Sequence, residues 1–80
     1  MSAEEVLYRS PMLYTVLRDT TGALVIEVVA GGAVMYAVRV RLEPPDVEAW
    51  QRDGATFTDG LAQRIAAEPT FGGRASAVGG

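Results

Sequence analysis

The sequence predicts an α+β fold: a small three-stranded antiparallel β-meander followed by a C-terminal helical region packed on one sheet face. Three observations predict it. Runs rich in apolar and β-branched residues lie over residues 12–18, 23–29 and 33–42, separated by turn residues. An apolar stripe at helical period follows, through Val47, Trp50, Gly54, Phe57, Leu61 and Ile65. Between the two, Glu43-Pro44-Pro45-Asp46 ends the strands, because proline cannot donate to a sheet ladder.

Each element follows in chain order. Residues 1–10 form an N-terminal arm, and 11–70 form the single domain. Pro11 can stand at the start of the first strand. Asp19-Thr20-Thr21-Gly22 is a turn, and with four residues in the loop Leu17 faces Leu24. Around Gly31-Gly32 a three-residue loop is favoured over a two-residue one. It sets Val28 opposite Val34 and keeps Glu27 off the core face, where an unpaired carboxylate would be costly. The core face is then Leu13, Leu17, Leu24, Ile26, Val28, Val34, Tyr36, Val38, Val40 and Leu42. The helical region spans about residues 46–68, as one kinked helix or two short ones divided at Gly54. Thr56 with Asp59 resembles a capping box that would open the second helix. Residues 71–80 read as a flexible Gly-rich tail, with Phe71 able to dock back.

Composition narrows the function classes. Eighty residues make one domain, and 49% hydrophobic with 21% charged residues is a globular profile. A domain this small has little core and commonly needs a disulfide, a metal or an oligomer contact. The chain has no cysteine and no histidine, so disulfides are excluded and a zinc site is not expected. All seven basic residues are arginines, which removes Schiff-base and P-loop lysine chemistry. The Ser-His and Cys-His nucleophile pairs are equally out of reach. No enzyme and no cofactor are expected. Asp53-Gly54 and Asp59-Gly60 do not follow the EF-hand spacing, so no metal is expected there. A net charge of −3 argues against general nucleic-acid binding. The start, MSAEEVLYRS, lacks the pattern of a secretory signal, and no apolar run approaches the roughly 18 residues of a spanning helix. A cytoplasmic location is the expectation.

The stretch VIEVVAGGAVMYAVRV, residues 25–40, carries the functional question, because it is apolar on both faces. The helical region covers one face. The other would present Met12, Tyr14, Val16, Val25, Glu27, Val29, Met35, Ala37 and Arg39 as a candidate interface. A homodimer packed sheet on sheet is the simplest cover. Arg18, Arg39 and Arg41 form a candidate anion-binding or rim patch at its end. The leading expectation is therefore a non-enzymatic protein–protein interaction module. A second is an inhibitor or immunity-type protein whose acidic helix surface, with Asp46, Glu48, Asp53 and Asp59, covers a basic target. A third is a small-ligand-binding protein using Tyr14, Glu27 and Arg39.

Overall fold

The computed structural model describes residues 4–11, 13–30, 36–68, 71–73 and 75–78. It is an α+β arrangement with a five-stranded antiparallel sheet, not a three-stranded one, and two helices on one of its faces. The strands are β1 (Glu5–Ser10), β2 (Tyr14–Arg18), β3 (Leu24–Ala30), β4 (Tyr36–Arg41) and β5 (Ala75–Val78). Their order across the sheet is β1-β2-β3-β4-β5. Helices α1 (Pro44–Asp53) and α2 (Ala55–Ala67) lie between β4 and β5 in the chain, followed by a single 3₁₀ turn, Phe71–Gly73. Two expectations are corrected here. The N-terminal arm is an edge strand paired with β2, and part of the expected Gly-rich tail is an edge strand paired with β4.

The turn after β2 sets the register and reverses one strand. Arg18 pairs with Leu24, so five residues fill the loop instead of four. The reason is Asp19, whose Oδ1 accepts hydrogen bonds from the Thr21 N–H at 2.9 Å and the Ala23 N–H at 3.0 Å. Gly22, at φ +91°, completes the bend. A one-residue slip moves every side chain of a strand to the other face. Tyr14 and Val16 consequently join the helix-side core, and Leu17 leaves it. Leu13 is no core residue either. It lies in the turn before β2, 60% exposed.

Between β3 and β4 the pairing differs again, with Val28 opposite Val38. The expected partner, Val34, lies outside the described residues, as does Met35. The offset is an even number of residues, so the faces keep their expected assignment. Ile26, Val28, Val38, Val40 and Leu42 point toward the helices. Tyr36, expected in the core, is 39% exposed at the start of β4.

Helix α1 begins at Pro44, earlier than the periodicity suggests, because prolines suit the first turn, where no N–H is needed. The Glu43 N–H donates to Asp46 Oδ2 at 3.0 Å, so the capping box sits here rather than at Thr56 and Asp59. Gly54, at φ +61°, separates the two helices, and its N–H closes α1 on the Trp50 carbonyl at 2.7 Å. Helix α2 delivers Leu61, Ala62 and Ile65 to the core. Fully burying side chains such as Leu61 and Ile65 contributes about 1.5–3 kcal/mol each. Val47, Trp50, Phe57 and Phe71 pack around that centre. Phe71 does dock back, with the Arg64 guanidinium 5.5 Å from its ring centroid. Among the described residues no helix is long and apolar enough to cross a membrane.

Candidate functional site

The helices occupy one face of the sheet, which leaves the other face as the candidate site. Strand alternation places Val6 and Arg9 of β1, Thr15 and Leu17 of β2, Val25, Glu27 and Val29 of β3, and Ala37, Arg39 and Arg41 of β4 there. They form rows across the strands. One row runs Val6, Leu17, Val25, Arg41. The next runs Arg9, Thr15, Glu27, Arg39, with Ser76 of β5 in register. A third pairs Val29 with Ala37, and Ala37 with Val78.

The charged centre of this face is Arg39. Its Nε donates to Glu27 Oε1 at 2.9 Å, and its Nη2 donates to Glu4 Oε1 at 2.9 Å. Its Nη1 donates to the other oxygen of Glu4, completing a fork-on-fork contact. The hydrogen bond from Arg39 holds the Glu4 carboxyl below its ordinary value, and the two carboxylates raise the affinity of Arg39 for its proton, Glu4 first.

Glu4 immediately precedes β1, whereas Arg39 lies on β4, with two strands between. Three inter-strand steps in a flat sheet cover about 14 Å. An extended arginine and an extended glutamate together span such a distance, so Glu4 and Arg39 meet over β2 and β3. The bulge at Leu7, where the β1–β2 register shifts, adds local twist near this end of β1. Leu17 and Val25 on this face are only 4% and 6% exposed. Val6 remains 48% exposed at the rim.

The candidate interface is thus partly assembled and partly not. Val25, Glu27, Val29, Ala37 and Arg39 share this face. Tyr14 and Val16 do not, because the β2 register turns them into the helix-side core. Met12 and Met35 lie outside the described residues. The arginine patch is also divided. Arg18 falls on the helix-facing side of β2 and donates to Glu5 Oε1 at 3.1 Å. Arg39 and Arg41 sit on the open side, and Arg41 lies 4.0 Å from the Asp19 carboxylate.

The set of Tyr14, Glu27 and Arg39 is likewise split. Thr15, not Tyr14, stands opposite Glu27. Tyr14 is 2% exposed, and its hydroxyl donates to Asp59 Oδ1 at 2.5 Å and shares a hydrogen bond with Thr58 Oγ1 at 2.7 Å. Burial, then the Asp59 bond, pushes the Tyr14 phenol above its usual value of 10.0. The periodicity did not single out this contact. The signal lay in the side-chain inventory: a buried tyrosine needs a partner for its hydroxyl, and Thr58-Asp59 stands on the helix that covers it. Two shallow grooves lie elsewhere, one at Arg64, Glu68, Phe71 and Gly72, the other at Arg41, Leu42, Glu43 and Pro44. No protein-family model, no curated protein and no solved structure matches this chain.

Proposed function

We infer that this chain is a non-enzymatic protein–protein interaction module that forms a homodimer through the helix-free face of its sheet. The observation that carries the reading is the make-up of that face. Exposed Val6 on one side and half-buried Val29 and Ala37 on the other flank a charged centre of Glu4, Glu27 and Arg39, with Arg9 on β1 and Arg41 on β4. Apolar residues on both sides of paired charges suit association, because the apolar area leaves water while the charges fix the register. A symmetric pair would set the apolar flanks of one copy against those of the other. The reading places the chain in the cytoplasm, in keeping with the absence of cysteine. It is favoured over a role for the acidic helix surface as the cover of a basic target. Asp46 is used in capping α1, Asp59 accepts from Tyr14, and Asp53 lies 3.3 Å from Arg52.

The test is molar mass by light scattering over a dilution series, on the wild type, Ala37→Glu and Val29→Glu. A wild-type dimer that becomes a folded monomer in both variants is the expected result. Val25 is a poor probe, since at 6% exposure a glutamate there would unfold the chain. A wild type that stays monomeric throughout the series overturns the reading.

A further inference from the structure

The link from β1 to β2 is held in a conformation that its last residue resists. Ser10 pairs with Tyr14, so three residues span the turn. Leu13, the third, has φ +66° and is 60% exposed. Three-residue hairpin loops often end on a left-handed residue, a position that glycine fills without strain. In leucine the Cβ crowds the following carbonyl there. Nor does packing hold the side chain, given its exposure. The Leu13 carbonyl accepts from the Val29 N–H at 3.1 Å, so it already continues the β2–β3 ladder. The φ of Leu13 must change for β1 and β2 to run on as one strand.

Strand β1 packs Tyr8 against the core and buries Ser10, contacts that the same strand of another copy can supply. It is an edge strand with β2 as its one neighbour in the sheet, and its ladder is broken by the bulge at Leu7. Glu4, Glu5 and Val6 are all exposed. Its side-chain ties to the rest of the sheet include the ion pairs of Glu4 with Arg39 and Glu5 with Arg18, which salt screens. A short strained hinge beside an edge strand is an arrangement that favours exchange between copies.

We propose that β1 is exchanged between two copies of this chain. The turn at Pro11–Leu13 opens, β1 and β2 become one continuous strand, and each β1 lies on the β2 of the other copy. The pairings Val6 with Leu17, Tyr8 with Val16 and Ser10 with Tyr14 are all remade, now between chains. What differs between the two states is the hinge, where Leu13 passes from left-handed to extended backbone, and the entropy of association. The exchange goes beyond the face contact inferred above and does not depend on it, since a face dimer keeps each β1 at home.

The chain has no cysteine, which makes a clean test available. Arg9 and Thr15 are directly opposite on β1 and β2. The double variant Arg9→Cys with Thr15→Cys is refolded at high protein concentration, separated by mass, oxidised, and run unfolded without reductant. A dimer fraction joined by bonds between chains is expected. Adding Leu13→Gly removes the left-handed penalty from the closed form, and should weaken the exchanged dimer on the order of tenfold per chain, about a hundredfold in its dissociation constant. A dimer fraction bonded only within chains overturns the proposal, as does a dimer indifferent to Leu13→Gly or the absence of dimer after refolding. Ala37→Glu separates the two readings: it dissolves a face dimer and leaves the exchanged one intact.

Discussion

Removing the Tyr14 hydroxyl should cost this domain a large share of its stability. Tyr14→Phe keeps the ring between the sheet and α2 and deletes only the group bonded to Asp59 at 2.5 Å and Thr58 at 2.7 Å. A hydrogen bond to a charged acceptor contributes about 1.5–3 kcal/mol. The Thr58 side chain is fully buried, so a water has poor access to replace the lost partner. A loss of about 2 kcal/mol in a domain of this size lowers Tm on the order of 10 °C. Urea unfolding followed by circular dichroism reads the cost directly. The pH dependence provides a second readout. The phenol of Tyr14 holds its proton to higher pH in the folded state than its ordinary value of 10.0. Stability from this group is therefore complete below pH 10. Above it the unfolded chain ionises first, and the contribution is lost as pH rises through the folded value. The wild type should weaken above pH 10 more steeply than Tyr14→Phe. Asp59→Ala added to Tyr14→Phe should cost little more than either alone. A change under about 0.5 kcal/mol for Tyr14→Phe, the range of an ordinary surface substitution, would refute the reasoning.

Two further outcomes are expected. Gly54→Ala meets no neighbouring atom, yet forces a left-handed φ of +61° on alanine, so it should destabilise by about 1–3 kcal/mol in the same urea assay. Glu4 is held below its ordinary value of 4.5 by Arg39, so its contribution is present above that value and lost as pH falls through the lower folded one. Backbone amide shifts of β1, followed by NMR as the pH is lowered from 6 to 3, should move before those of β3 do, and Arg39→Ala should show the released pattern already at pH 6.

Much of the interior was legible in the residue pattern. Leu24, Ile26, Val28, Val38 and Val40 share one parity, and the three charges Glu27, Arg39 and Arg41 share the other, which decides the inner face although Val25, Val29 and Ala37 lie beside those charges. The prolines at 44 and 45 and the glycine at 54 marked the helix limits for covalent reasons. The face of β2 was not legible, because YTVLR offers apolar residues to both sides and the choice rested on the length of one turn. A single carboxylate, Asp19, added the fifth loop residue and moved Tyr14 and Val16 into the core. With that, the open face lost its largest expected member and turned from a broad apolar patch into a narrower strip around an ion cluster. The edge strands escaped for different reasons. In β1 the bulge at Leu7 breaks the two-residue period, and β5, ASAV, is short and made largely of residues with weak strand preference. Nothing in the local sequence linked Glu4 to Arg39, since that contact depends on the order of four strands across the sheet.

Spatial order in the sheet is chain order, and both helices lie after the fourth strand. During synthesis the strands emerge first and can pair through their short connections while the helices are still unmade. Ile26, Val28, Val38 and Val40, all 3% exposed or less in the finished molecule, would then face water until Leu61 and Ile65 leave the ribosome. The half-made chain is a sheet with two open faces and an uncovered greasy interior. That nascent stage, more than the finished fold, is where a chaperone or a second nascent copy would find its strongest hold.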